Sequence, residues 1–141
     1  MKKYQDFEKL NRLLVGSFEA EKLYFNAANE APKTEIKRYL NYMSVERNRM
    51  SHDISNELHS RDIEPLKEDV EKNNLDHSKK IKEGIGLEKV IHQCLTRDRN
   101  NIIRYNELLE RKQLPDSILD ILKKQLLKIE NYIINVEKLL E

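Results

Sequence analysis

The sequence predicts an all-α protein: a four-helix bundle made of two antiparallel hairpins joined by a long crossover. Three observations predict it. The chain of 141 residues carries only three glycines and three prolines, too few for the tight turns that a sheet protein needs. Apolar residues recur at helical spacing over four long stretches. The breaks between those stretches run short, long, short, which sets the topology. One domain of ordinary size, residues 1–141, accommodates all four helices.

The first helix is expected over about residues 6–30. At roughly 100° per residue, Leu10, Leu13, Leu14, Ser17, Ala20, Glu21, Tyr24 and Ala28 share one face. Pro32 ends it and disfavours the helical conformation at Ala31. The second helix is expected over about 33–61, with Ile36, Tyr39, Leu40, Met43, Glu46, Arg47, Met50, Ile54 and Leu58 as its stripe. A polar stretch from about Asp62 to Ile85 follows, with room for a turn or two of helix around Leu66–Glu71. Gly84 and Gly86 turn the chain into the third helix, expected over about 87–112. Its face is Leu87, Ile91, Cys94, Leu95, Asp98, Ile102, Tyr105 and Leu109. Leu114-Pro115-Asp116 is a break followed by a start, with Asp116 or Ser117 as N-cap. The fourth helix is expected over about 117–141, its inner face Ile118, Leu122, Gln125, Leu126, Ile129, Ile133, Val136 and Leu140.

Short joins force antiparallel neighbours. Each helix of about 25 residues is roughly 38 Å long. A connection of about 24 residues, at about 3.3 Å each, is long enough to carry the chain from one end of the bundle to the other. Among four-helix bundles this is the ferritin-like arrangement.

Several residues also resemble a known family. Leu10-Asn11-x-Leu13-Leu14, Tyr24, Glu46-Arg47 and Leu58 are similar to the first hairpin of a bacterial ferritin-like family catalogued as a domain of unknown function. Cys94-Leu95-x-Arg97-Asp98, Tyr105, Leu114-Pro115, Leu122 and Gln125 resemble its second hairpin. The similarity runs from about Leu10 to Leu140. That family is distantly similar to rubrerythrin, to ferritin and to stress-associated proteins of the YciF type. The resemblance implies the fold and a link to stress; it implies no reaction.

A ferritin-like bundle raises the question of a di-iron or di-manganese centre. The usual solution is a Glu on each of two helices and a Glu-x-x-His on each of the others, since i,i+3 spacing puts both side chains on one face. Three residues before His52, His59, His77 and His92 stand Arg49, Asn56, Asn74 and Lys89. None gives Glu-x-x-His. Glu46 is followed at i+3 by Arg49, a cation that repels metal, and Glu130 by Ile133, which cannot ligate. Ser17 sits where the resemblance implies a ferritin carboxylate. No conventional di-metal centre is expected, and no cofactor; iron or manganese is the fallback.

Polar residues still fall on the inner faces. Asp98 is central; Glu21, Arg47 and Gln125 lie about 40° and Glu46 about 60° from their stripe centres. One reading is an altered metal site of Glu21, Glu46, Asp98 and Gln125. The other, favoured here, is a buried polar layer in which Arg47, with Arg97 or Arg99, neutralises the acids. An unpaired buried carboxylate costs several kcal/mol, and arginine answers carboxylates with two hydrogen bonds.

Other chemistries find little support. Lys+Arg 26 nearly cancels Asp+Glu 25, so there is no overall field for nucleic acid or an anionic membrane. The run after Met1-Lys2-Lys3 is broken by Asp6, Glu8, Lys9, Asn11 and Arg12, unlike a signal peptide. A single cysteine, Cys94, reads as a small buried hydrophobe, and a cytoplasmic setting is expected. His52, Asn56 and His59 share a face and read as solvated, and Glu88 and His92 as a surface pair. Gly84-x-Gly86 has no preceding strand and is no nucleotide loop. The six tyrosines read as core, and Lys79-Lys80-x-Lys82 as a solvated run.

Leu127 and Ile134 lie about 140–160° from the inner stripe of the fourth helix, and Val45 and Ile103 are similarly placed on the second and third. A second apolar face suggests an interface, so a homodimer using the fourth helix is expected. Three functional classes follow: a non-catalytic bundle acting through an interaction surface, a metal-binding or ferroxidase-like protein with an altered ligand set, and a small-ligand carrier.

Overall fold

The computed structural model describes residues 2–66 and 86–141. Among these residues four α-helices form a bundle: α1 (Lys2–Glu30), α2 (Thr34–His59), α3 (Leu87–Arg111) and α4 (Asp116–Glu137), with a closing 3₁₀ turn at Lys138–Leu140. Among the described residues none of these helices is long and apolar enough to cross a membrane.

The stripes read from the sequence are the core. Leu10, Leu13, Leu14 and Tyr24 of α1 meet Leu40, Met43, Ile54 and Leu58 of α2. Ile91, Cys94, Leu95 and Tyr105 of α3 and Leu122, Ile129 and Val136 of α4 complete it. Each fully buried leucine or isoleucine contributes about 1.5–3 kcal/mol over leaving it in water.

Side-chain contacts fix the helix directions. Asp6 meets Arg111, and Glu19 meets Arg97, so α1 and α3 are antiparallel. Glu46 meets Tyr132 while Glu57 meets Ser117, so α2 and α4 are antiparallel too. The short joins make α1–α2 and α3–α4 antiparallel hairpins. α2 and α3 therefore run parallel, and the end of α2 lies at the opposite end of the bundle from the start of α3. This placement of the two ends is the one that the expected crossover requires. Most of that crossover, 67–85, lies outside the described residues, and with it the helical turn expected beyond Leu66. Leu66 is tied down: its N–H donates to Asn11 Oδ1 at 2.8 Å, and Asn11 Nδ2 donates to Glu64 O.

The ends differ from expectation in ways that local chemistry explains. α1 begins at Lys2, ahead of its apolar stripe. α2 stops at His59 rather than Arg61, because Asp62 adopts φ 59° and Ile63 N–H turns back to Leu58 O. Neither Asp116 nor Ser117 caps α4. Pro115 holds the N-cap position, its carbonyl accepting from Ile118 and Leu119 N–H, and Ser117 instead meets Arg61 at 3.3 Å. At its C-terminus α4 gives way after Glu137 to a tighter 3₁₀ turn. Gly86 enters α3 with φ 96°, a conformation that favours glycine.

Candidate polar centre and the α2–α4 face

Arg47 projects from the middle of α2 into the bundle axis and is 1% exposed; Asp98 of α3, fully buried, meets it there. Arg47 Nη2 donates to Asp98 Oδ2 at 2.8 Å and Nε to Oδ1 at 3.3 Å. Tyr24 of α1 donates to the same Oδ2 at 2.5 Å. The guanidinium carbon lies 4.7 Å from the Tyr24 ring centroid and 5.1 Å from that of Tyr132 on α4. The charge is thus stacked against aromatic faces that attract it, and Nη1 reaches Met43 Sδ at 3.8 Å. All four helices contribute to one charge-neutral assembly.

Titration behaviour follows from this packing. Burial by itself lowers the affinity of Arg47 for its proton, but the Asp98 carboxylate and the Tyr24 oxygen outweigh it, so Arg47 is held above its ordinary value. Burial, then the charge of Asp98, push Tyr24 far up. Cys94, one turn before Asp98, is pushed up by burial and then by the same carboxylate, which makes it an inert thiol.

Gln125 occupies a second polar layer. Tyr105 Oη donates to Gln125 Oε1 at 2.7 Å, and Gln125 Nε2 donates to Met50 O at 3.2 Å. Glu46 is buried at the α2–α4 seam, where Tyr132 Oη donates to it at 2.6 Å and Arg49 stands 3.5 Å away. Arg47, Asp98, Gln125 and Glu46 are all buried, and they divide into separate partnerships.

Glu21 is a correction. It is half-buried at the α1–α2 seam, and both its oxygens accept from Asn48 Nδ2 at 3.2 Å. Its offset from the stripe centre carries it out of the axis. Arg97 and Arg99 also fail as partners of Asp98: Arg97 pairs with Glu19 and Arg99 with Glu137, each at 2.8 Å. Flanking Asp98 in sequence turns each about 100° away from it.

The residues do not fit a di-metal centre. The middle of the bundle holds a guanidinium, and Glu46 and Asp98 are bound to different donors. Among the described residues no group of three His, Cys, Asp or Glu converges. His52, Asn56 and His59 are all exposed on α2.

Gly16 and Asp6 are among the buried residues that the sequence reading did not single out. Gly16 of α1 lies against Asn101 of α3, whose Nδ2 donates to Gly16 O at 3.0 Å. A lone glycine inside a helix costs about 1 kcal/mol against alanine, and that cost was the available sign of a close approach. Asp6 is fully buried and bound by Arg111 Nη2 at 2.7 Å; nothing in its local pattern distinguishes it from a solvated acid.

On the outside, Leu127 and Ile134 of α4 are 63% and 54% exposed, and Tyr42 and Val45 of α2 are also exposed large hydrophobics. The Tyr132–Glu46 bond sets the register that brings this stretch of α2 to the level of Ile134, and Tyr42 packs edge-on to Tyr132 at 6.4 Å. Ile103 of α3 is exposed as well. Between α2 and α4 runs a groove of about 870 Å³.

Compared with family models, curated proteins and solved structures, the chain finds no match. Its functional reading rests on the geometry above.

Proposed function

We propose that the protein is a non-catalytic ferritin-like bundle in which Arg47 balances the interior acid that a metal balances elsewhere in such folds. It works through the α2–α4 face. The observation that carries this reading is the two-point Arg47–Asp98 contact on the bundle axis, closed by Tyr24. A cation at that position repels a divalent ion, and Asp98 has both oxygens engaged. The stress link implied by the family resemblance belongs to the same proposal. Metal analysis of protein purified without chelator or added metal tests it. Iron, manganese and zinc well below one per chain are expected, and a near-stoichiometric content of any of them overturns the reading.

The exposure of Leu127 and Ile134 beside Tyr42 and Val45 favours a second reading of the same face, a homodimer packed along α4. Light scattering at tens of micromolar decides it: a dimer mass supports this reading and a monomer mass removes it.

A further inference from the structure

We propose that the slot between α2 and α4 binds an amphiphilic anion, with a carboxylate or phosphate head on an apolar tail. The inference rests on the reading that the α2–α4 face is the working surface, left uncovered by the described residues. The slot is lined by Met50 and Gln125, whose side-chain amide is fixed to Met50 O, and by Ile121 and Leu127 of α4. Its volume of about 870 Å³ falls within the range of ordinary small-molecule sites. Toward one end stand Glu46 and Arg49, with Tyr132 bound to Glu46.

The charges on its rim choose the ligand. Lys124 and Lys128 sit one turn apart on α4, and Leu127, one of the most exposed apolar side chains, flanks Lys124. Neither lysine makes an ion pair with any described residue. Arg49 and Glu46 face each other at 3.5 Å and cancel. His52 and Asp53 line the α2 side, so the two lysines outnumber the one remaining acid. An apolar slot edged by cations that no described residue pairs suits an anionic head at Lys124 and Lys128, with the tail running over Ile121 and Met50. A second copy laid on this face would instead bring these lysines against another positive surface, which costs energy.

The test is a calorimetric titration of the full chain with dodecanoate and with dodecyl phosphate, each below its micelle concentration. Dodecanol and dodecyltrimethylammonium serve as comparisons, and methyl NMR signals of Met50, Ile121 and Leu127 report the site. One-site binding of at least one anion is expected, at least about tenfold tighter than the neutral or cationic amphiphile, with shifts confined to those methyls. The tighter of the two anions identifies the head group. Lys124→Glu with Lys128→Glu, both on the exposed side of α4, should weaken binding about tenfold or more at unchanged helicity and Tm. No anion binding, binding indifferent to head-group charge, or affinity unchanged in the double variant overturns the proposal. A dimer mass in the ligand-free sample also overturns it, through the covered face. Metal content, measured on the same sample, reports separately on the arginine-centred interior.

Discussion

Arg47 and Asp98 share two hydrogen bonds at the centre of the bundle, 2.8 and 3.3 Å long, with both side chains almost wholly shielded from water. Neither charge has a solvated alternative. The desolvation of both ions largely offsets their attraction, so the pair as a whole adds little net stability, whereas breaking it strands one charge in the core.

That asymmetry predicts a double-mutant cycle. Asp98→Leu or Arg47→Met alone should each cost about 3–5 kcal/mol, because each leaves an uncompensated buried ion. The double variant should be markedly more stable than the sum of the two losses. Urea unfolding of the four proteins measures this, and additive losses would show that the pair is not coupled.

The same centre predicts indifference to metal. A ligand that binds only the folded state raises Tm in proportion to the logarithm of its concentration over Kd. Excess manganese, zinc or ferrous iron, and separately a strong chelator, should therefore leave the Tm unchanged. A rise of several degrees with any one metal would reveal a donor set that this arrangement of side chains does not provide.

The fold was legible because burial imposes periodicity. Leu122, Ile129, Ile133 and Val136 recur at helical spacing, and all four are buried. The centre was legible in part: Arg47 and Asp98 both fall near the middle of apolar stripes, where a charge has to find a partner. Choosing that partner was not possible from one helix at a time. Arg97 and Arg99 are nearer to Asp98 in sequence, yet they face other helices, and the α2-to-α3 crossing that brings Arg47 to Asp98 is a long-range feature. Glu21 shows the opposite limit, since a modest angular offset was enough to move it from the axis to a seam.

Gly16 supplies a packing test. A Cβ added there would stand 2.2 Å from Asn101 Oδ1, an atom with no hydrogen-bond partner among the described residues. Gly16→Ala should therefore displace Asn101, break its bond to Gly16 O, and cost about 1–3 kcal/mol by overpacking. Adding Asn101→Ala should recover part of that loss, since the obstruction is gone and alanine favours the helix by about 1 kcal/mol. Thermal unfolding of the single and double variants measures it. A Gly16→Ala variant as stable as the parent would mean that α1 and α3 separate easily.

Alkaline pH provides the last test, through Tyr24 and Tyr105. Burial raises both above the ordinary tyrosine value of 10.0, the charge of Asp98 adds to the rise for each, and Arg47 opposes it. In the unfolded chain both lose their protons near pH 10. Above that pH the native state holds more protons than the unfolded state, so stability must fall as pH rises. The contribution is fully present below about pH 10. It erodes above that by about 1.4 kcal/mol per pH unit for each tyrosine, until the native group itself ionises. Urea unfolding at pH 9, 10 and 11 should show the decline, and Tyr24→Phe with Tyr105→Phe should make it shallower, the remainder coming from Tyr39 and Tyr132, which burial also raises. Absorbance at 295 nm should show these two tyrosines ionising together with loss of helicity. If all six tyrosines titrate near pH 10 while the circular dichroism stays native, the hydroxyls of Tyr24 and Tyr105 are open to water and the closed polar centre is wrong.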